Sequence, residues 1–422
     1  MNEKVDDYKR MILEEVESKP ETFLEILSRS VQCNTDNPPG DTRSLAGYLG
    51  ELLDEEGLPV AIYDPVEGNP NIVTFAGEES GHPHLVLNGH LDQFPADDPA
   101  VWTVPPYSGL IREGRVYGRG VSDMKGGMIA SLSALLLIHR LEVPIRGRLT
   151  FMGVSDEETG GKWGTHWLLE NRPELRGDAC LNGEPYAPDV VGVGERGAYR
   201  VVMRAEGEPM HGSLSAGDNA IMKMAQALLS LRPILQEKAR IPEDMVEVIE
   251  KEKNYTRSPQ DVGRQWMLDH PSYNVGVIRG GTKINVVPRY CEAEVDIRLP
   301  LGMSPEHIEQ RVKALLNEAE CRDVKISEII SFRKPSYTRL DEPLVKIVKE
   351  NAARVTGKEP IYFIGMGGTD GRFFRRRGIP TVIYGPRPFN MGGIDEHILV
   401  DEFLTVIKVH AFSIIDYLGL RS

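Results

Sequence analysis

Six acidic or imidazole side chains lie in four short segments of the chain: His90 and Asp92, Asp123, Glu157 and Glu158, and Glu184. Each segment is predicted to be a turn at the carboxyl end of a strand. This edge is where open α/β sheets collect their ligands. Because carboxylates gathered at one edge repel one another, a cation is required to hold them together. The segments therefore indicate a divalent-metal site.

Each segment alone has a less specific interpretation. A His-x-Asp pair is usually satisfied in a core or at a surface, and Asp156-Glu-Glu158 alone is typical of a solvated acidic turn. Only their occurrence together favours the metal site. The four cysteines are widely separated and include no Cys-x-x-Cys pair, so neither a disulfide framework nor a thiolate zinc site is predicted. Oxygen and imidazole are the expected ligands.

The elements that must position these side chains alternate between helix and strand. Helical spacing of apolar residues predicts helices at 20–30 and 44–56. Short apolar runs that end at Gly, Asn or Asp predict strands at 71–75, 84–87, 148–153 and 179–181. This alternation is typical of an α/β domain built around one mixed, mostly parallel sheet with flanking helices.

A different pattern occupies the middle of the chain. Strand, helix, two strands, helix and strand are predicted at 198–205, 220–231, 273–278, 291–298, 305–318 and 324–330. This β-α-β-β-α-β order is the ferredoxin-like motif. Because the α/β pattern resumes after Pro335, the middle unit is predicted to be an insertion. The predicted domains are therefore 1–195 with 333–422, and an inserted domain at 196–332.

Composition restricts the class of partner. The chain has 422 residues, with 63 Asp and Glu against 49 Lys and Arg, which argues against a nucleic-acid or anionic-membrane surface. Small-molecule substrates are the expected partners. The N-terminus has no apolar leader region, and the longest near-apolar run, 128–138, is about half a membrane span. We therefore expect a cytoplasmic protein.

The sequences of these motifs resemble those of the M20 family of aminoacylases, deacylases and carboxypeptidases. The segments that carry the resemblance are Asn88-Gly-His-Leu-Asp92, Ser122-Asp-Met-Lys-Gly-Gly127, Ser155-Asp-Glu-Glu158, Asn182-Gly-Glu-Pro185, Trp102-Thr-Val-Pro-Pro-Tyr107 and Gly367-Gly-Thr-Asp-Gly-Arg-Phe373. They are most similar to the branch of acetylornithine deacetylase and succinyl-diaminopimelate desuccinylase. The resemblance spans nearly the whole chain and implies a zinc-exopeptidase-like domain with a lid that commonly forms homodimers or higher homo-oligomers.

The resemblance also implies roles for the six side chains. The metal ligands would be His90, Asp123, Glu158 and Glu184, with Asp123 bridging two ions of zinc, manganese or cobalt. Asp92 would orient the imidazole of His90. Glu157 would be the general base that acts on a metal-bound water, because adjacent turn residues can direct one carboxylate to metal and the other to water.

Further roles are implied in the lid and near it. His211 resembles the family histidine that stabilises the oxyanion across a dimer, and Asn285 resembles a polar lid contact. Arg298 resembles the clamp for a substrate carboxylate, to which a planar guanidinium is suited, although a surface arginine at a strand end is the alternative. Gly368 and Thr369 would line the pocket.

Two departures from the family pattern are visible. Gly392 occupies the position where the family has a metal-binding histidine, and His397, five residues later, is the candidate substitute. One or two metal ions per chain are therefore expected, with the second held weakly. The charged stretch 236–270 is longer than a normal connection and predicts either a gate or an oligomer contact.

The favoured function is metal-dependent hydrolysis of an amide-type C–N bond in a small substrate that bears a carboxylate. A dipeptidase, a carbamoylase or a hydrolytic deaminase of an aromatic amine such as an aminobenzoate is the alternative on the same scaffold. A metal-free binding or assembly protein is the alternative of another class. Glu157 favours an enzyme, because a site that has lost its chemistry has no need of a base beside a ligand.

Overall fold

The computed structural model describes residues 2–214, 218–255 and 263–421. The chain forms two compact units. Unit 1 comprises Met1–Val193, Thr338–Phe363 and Thr369–Ser422, and unit 2 comprises Gly194–Tyr337 and Ile364–Gly368.

The regular elements of the described residues are given in chain order. The helices are α1 (Asn2–Ser18), α2 (Pro20–Gln32), α3 (Arg43–Glu55), α4 (Gly126–Arg140), α5 (Thr165–Asn171), α6 (Ala220–Ser230), α7 (Val246–Lys253), α8 (Arg264–Met267), α9 (Pro305–Glu318), α10 (Pro343–Thr356), α11 (Gly371–Arg375) and α12 (Val400–Leu418). The strands are β1 (Val60–Tyr63), β2 (Asn71–Gly77), β3 (His84–His90), β4 (Ile111–Arg112), β5 (Arg115–Tyr117), β6 (Arg148–Val154), β7 (Ala179–Asn182), β8 (Val190–Glu195), β9 (Gly197–Glu206), β10 (Ser272–Gly280), β11 (Tyr290–Leu299), β12 (Val324–Arg333), β13 (Ser336–Tyr337), β14 (Ile361–Gly365), β15 (Thr381–Ile383) and β16 (His397–Leu399).

Unit 1 is built on a mixed sheet in which the strands run in the order β1-β2-β6-β3-β7-β15-β8. The central strand β3 is parallel to both of its neighbours, β6 and β7, whereas β2 is antiparallel to β6. Strands β3 and β6 are buried at every residue, which explains why they appear in the sequence as unbroken apolar runs rather than as alternating patterns. The predicted mixed sheet with flanking helices is confirmed.

Helix α4 packs against β3 and α12 and is buried along most of its length. The segment Val121–Arg140 is long and apolar enough to cross a membrane, but 94% of its apolar window is buried within the fold, as in a core helix. A Cβ atom on Gly127 would lie 1.7 Å from the carbonyl oxygen of Gly183. Only glycine permits this approach, which brings the start of α4 against the end of β7.

Unit 2 is built on an antiparallel sheet in the order β10-β11-β9-β12. Alternate residues of β9 and β11 form a core with apolar residues of α6 and α9. The other side chains of these strands are more exposed and include several arginines. The order of elements confirms the predicted ferredoxin-like motif.

Unit 2 covers Gly194–Tyr337, close to the predicted 196–332, and also includes Ile364–Gly368. The carboxylate of Glu252 in α7 accepts a hydrogen bond from the backbone N–H of Ile364 at 2.8 Å. Arg264 donates to the carbonyl of Ile364 at 3.0 Å, and the backbone N–H of Arg196 donates to Gly365. Two side chains of the stretch 236–270 thus bind both polar groups of one peptide residue. Residues 256–262 of that stretch lie outside the described residues.

These contacts predict that Glu252→Ala loosens the chain at Ile364. The amide of Ile364 should exchange with solvent about tenfold faster, because one charge-assisted hydrogen bond is lost. Hydrogen exchange of a peptide that covers 361–368, followed by mass spectrometry, measures the effect. Glu250→Ala is the control, since Glu250 is exposed on the same helix and pairs with Lys253. Equal exchange in the two variants would show that Glu252 does not anchor this segment.

Candidate metal centre

Strands β6, β3 and β7 are parallel neighbours, so the candidate ligands that stand at their carboxyl ends lie at one edge of the sheet. His90 is the last residue of β3, Glu157 and Glu158 follow β6, and Glu184 follows β7. Asp123 lies in the turn that precedes α4, whose start is held against Gly183 by the close approach of two glycines. The core contacts of buried strands therefore determine where these side chains meet.

Ligand atoms of His90, Asp123 and Glu158 all lie within 4.8 Å of one another. The Nε2 atom of His90 lies 3.1 Å from Oδ1 of Asp123 and 3.8 Å from Oε1 of Glu184. Ligands that each lie about 2 Å from one ion have separations in this range. The structure therefore brings together all four predicted ligands, which are His90, Asp123, Glu158 and Glu184.

The electrostatics of the cluster fit a divalent cation. Burial, with the charge of Asp123, raises the pKa of Glu158 to about 10, and the same two causes raise the pKa of Glu184 well above its usual value. Burial opposes protonation of His90, but the surrounding carboxylates raise its pKa well above 6.5. The buried Oε1 atom of Glu158 has no hydrogen-bond partner among the described residues. This excess of negative charge and an unsatisfied oxygen are what a bound cation would balance.

Asp92 has a different set of contacts from the one that the resemblance implied. The Nδ1 atom of His90 lies 2.9 Å from the backbone carbonyl oxygen of Asp92 and 3.6 Å from its Oδ1 atom. The Asp92 carboxylate accepts from the backbone N–H groups of Glu157 and Glu158, each at 3.1 Å. Its carbonyl therefore orients the imidazole, while its side chain organises the turn that carries the two glutamates.

Glu157 is largely buried, with its side chain 11% exposed, and it pairs with an arginine that sequence reasoning did not single out. Nη1 of Arg372 lies 2.5 Å from Oε1 of Glu157. Burial raises the pKa of Glu157, and Arg372 opposes this effect. Burial and the charge of Glu157 raise the pKa of the neighbouring Asp370 to about 7. Asp370 and Arg372 both lie in the 367–373 motif, which was the only signal for them in the sequence.

Glu396 is a second residue that sequence reasoning did not assign. Its Oε1 accepts from the backbone N–H of Ser122 at 2.9 Å, and its Oε2 lies 2.5 Å from Nη1 of Arg119. Glu396 and Arg119 are both 1% exposed. This buried pair holds the turn from which Asp123 projects. Burial raises the pKa of Glu396, and Arg119 opposes it.

His397 does not join the converging ligand atoms of His90, Asp123 and Glu158 within the described residues. Its Nδ1 lies 2.9 Å from the carbonyl oxygen of Asp395, and its ring stacks on Phe389 at 5.0 Å. Gly392 has a φ of +70°, a conformation that favours glycine over a histidine. Its carbonyl accepts a hydrogen bond from Arg119.

The predicted clamp Arg298 lies in unit 2 and is partly buried. Its Nε donates to both carboxylate oxygens of Asp296, at 2.9 and 3.0 Å, and Arg200 donates to the same carboxylate. Arg298 and Arg333 are both paired in register with Ala198 on the intervening strand β9. The two arginines therefore flank one small residue on the same face of the sheet.

The other predicted residues outside the cluster have simpler surroundings. His211 is exposed, and its Nδ1 lies 2.7 Å from Oγ of Ser213. Asn285 accepts through its backbone carbonyl from the N–H of Gly212. A Cβ atom on Gly368 would lie 2.3 Å from the Arg333 guanidinium, so a side chain there would require the guanidinium to move. Thr369, in unit 1, is buried, and its Oγ1 accepts from the N–H of Gly371.

Comparison with known proteins agrees with this geometry. Residues 86–416 match the profile of peptidase family M20/M25/M40. A succinyl-diaminopimelate desuccinylase of Paracoccus denitrificans is 28% identical over 396 residues, which cover 92% of this chain and 96% of that protein. An M20 family metallo-carboxypeptidase from Sulfolobus solfataricus has a similar fold, with a TM-score of 0.77 and 20% identity over 94% of this chain and 99% of the other. A dinuclear metal-binding M20 peptidase from Bacillus subtilis has a TM-score of 0.64 and 13% identity, over 95% and 100% of the two chains.

Proposed function

Since the chain belongs to peptidase family M20/M25/M40 and is a metal-dependent hydrolase, we propose that it cleaves an amide-type C–N bond in a small, carboxylate-bearing substrate. The resemblance read from the sequence and the prediction of an enzyme are confirmed. The observation that carries the proposal is the adjacency of Glu157, paired with Arg372, and Glu158, whose buried oxygen converges with His90 and Asp123. Acylated amino acids are the proposed substrate class.

The reaction that these residues support is addition of water to the scissile carbonyl. When bound, a divalent ion lowers the pKa of a water molecule toward about 7 and polarises the carbonyl. His90, Asp123, Glu158 and Glu184 would hold that ion. Glu157 accepts a proton as the C–O bond forms and delivers it to the nitrogen as the C–N bond breaks. The products are a carboxylic acid and an amine.

The metal is proposed to be zinc, manganese or cobalt, with one ion bound tightly. His90, Asp123 and Glu184, which lie close to one another, would hold the first ion. Glu158, which converges with His90 and Asp123, would be the remaining side chain for a second ion. Gly392 has no side chain to donate, and the ring of His397 is held by Asp395 and Phe389. The second ion should therefore be weak.

Oligomeric state and location are also proposals. Strand β12 lies at an edge of the unit 2 sheet and exposes Ile329, Ile330 and Phe332. Exposed apolar edge strands are sites of strand pairing, which supports a homodimer or higher homo-oligomer formed through unit 2. The four cysteines, all within the described residues, are free thiols. A reducing cytoplasmic location is consistent with this state. The acidic net charge of −14 supports small-molecule rather than nucleic-acid partners.

The role of Glu157 predicts that Glu157→Ala loses most of its turnover while it retains metal. The kcat for an N-acyl amino acid should fall about a hundredfold or more, because the proton acceptor is removed and the ligands remain. Steady-state kinetics with elemental analysis measure both quantities. Glu113→Ala, at an exposed turn, is the control. Near-normal turnover in Glu157→Ala would exclude the assigned role.

The ligand assignment predicts different metal contents for three proteins. The parent should retain about one ion per chain after gel filtration, and Asp123→Ala should retain almost none, because it loses the shared ligand. His397→Ala should match the parent, since its ring has other contacts. Elemental analysis determines the ratio. Two tightly held ions in the parent, with one lost in His397→Ala, would instead identify His397 as a ligand.

The proposed carboxylate clamp predicts that Arg298→Ala discriminates between charged and neutral substrates. Its KM for the substrate acid should rise about tenfold to a hundredfold, while its KM for the corresponding amide should change little. Arg204→Ala is the matched control, because Arg204 is exposed on the same sheet and pairs with Glu292. Equal increases for acid and amide would assign Arg298 a structural role, held by Asp296.

A further inference from the structure

The turn that carries Glu157 is held from two directions. The backbone N–H of Glu157 donates to the carboxylate of Asp92 at 3.1 Å, and Nη1 of Arg372 donates to Oε1 of Glu157 at 2.5 Å. We propose that Arg372 is a positioning residue, which holds Oε1 of Glu157 so that Oε2 faces the attacking water. This inference rests on the proposed role of Glu157 as the base.

Arg372 is itself well fixed. Its Nη2 donates to the carbonyl of Gly160 at 3.0 Å, so one guanidinium spans the side chain of Glu157 and the far end of the same turn. The N–H of Gly160 donates back to the carbonyl of Glu157 at 2.9 Å. The Arg372 side chain is 5% exposed and lies 4.4 Å from the ring centre of Phe373. The guanidinium therefore has little freedom to move.

The surroundings of Glu157 explain why such a contact is needed. Glu158 is its neighbour, Asp123 lies in the same cluster, and Asp370 is buried beside it. These carboxylates repel a charged Glu157 and favour rotation of its side chain away from them. A guanidinium supplies both a compensating charge and a directed hydrogen bond. The contact engages Oε1, and in the proposed arrangement Oε2 receives the proton.

Lysine cannot reproduce this arrangement. The N–H donors of an ammonium group all lie on one nitrogen atom. The contacts of Arg372 to Glu157 and Gly160 instead use two different nitrogen atoms of one planar group. Displacement of a catalytic group by about 1 Å can reduce turnover about a hundredfold. The orientation of Glu157, and not only its charge, is therefore expected to depend on Arg372.

The test compares Arg372→Met and Arg372→Lys with the matched control Arg377→Met. Arg377 lies five residues later, pairs with the exposed Glu170 and donates to the carbonyl of Phe373. In Arg372→Met, kcat should fall about tenfold to a hundredfold with KM nearly unchanged and metal content equal to that of the parent. Arg372→Lys should recover only part of the loss. Arg377→Met should turn over like the parent.

Two further readouts separate positioning from a general structural effect. Guanidinium ion added at millimolar concentration should restore part of the kcat of Arg372→Met and leave Arg377→Met unchanged. In the Glu157→Gln background, Arg372→Met should cause little additional loss, because the group that it positions is already absent. Full kcat in Arg372→Met, or an equal additional loss in that background, overturns the inference.

The same series distinguishes failure of the inference from failure of the proposed function. If Glu157→Gln keeps full turnover, Glu157 is not the base and both proposals fall. If Glu157→Gln is impaired while Arg372→Met is not, only the positioning role falls. Loss of bound metal from Arg372→Met, with no rescue by guanidinium, would assign Arg372 to the integrity of the metal centre instead.

Discussion

The concentration of carboxylates around one buried imidazole is the constraint on which unit 1 depends. His90 ends the central strand of the sheet, and the neighbouring parallel strands deliver Glu158 and Glu184 to the same edge. Burial makes the charged form of each carboxyl unfavourable, and their proximity adds to this effect. A fold that gathers them must supply positive charge. A cation that binds the cluster would supply part of it, and buried arginines supply another part around it.

Each of these buried arginines pairs with a different glutamate. Arg119 pairs with Glu396, whose carboxylate accepts from the backbone N–H groups of Ser122 and Asp123. Arg372 pairs with Glu157, the neighbour of Glu158. Carboxylates that have an arginine or backbone N–H partner are thus fixed in orientation, whereas Glu158 retains an unsatisfied buried oxygen within the described residues. Residues of one chemical type acquire different roles from their partners.

Much of this organisation could be predicted from local sequence, because the unbroken apolar runs of β3, β6 and β7 locate the turns that follow them. The ferredoxin-like order of unit 2 followed in the same way from periodicity and turn residues. The supporting pairs could not be predicted, since Arg372 with Glu157 and Glu396 with Ser122 join residues more than 200 positions apart. Helices α1 and α12 were not assigned. The contact of His90 with the backbone carbonyl of Asp92 was also missed, because every residue type has the same backbone carbonyl.

Unit 2 shows the same principle applied to a connection. The stretch 236–270 has the length and charge of a mobile loop, but Glu252 is almost completely buried and Arg264 lies beside it. A buried carboxylate is unfavourable unless charge and donors satisfy it, and here Arg264 and the amide of Ile364 do so. The same stretch reaches Arg196, whose guanidinium donates to the carbonyls of His270 and Arg298. Among the described residues of the stretch, Glu252 and Arg264 therefore bind the backbone at the end of β14, and Arg196 links His270 to the end of β11. Part of the charge of this stretch is thus used in contacts within unit 2.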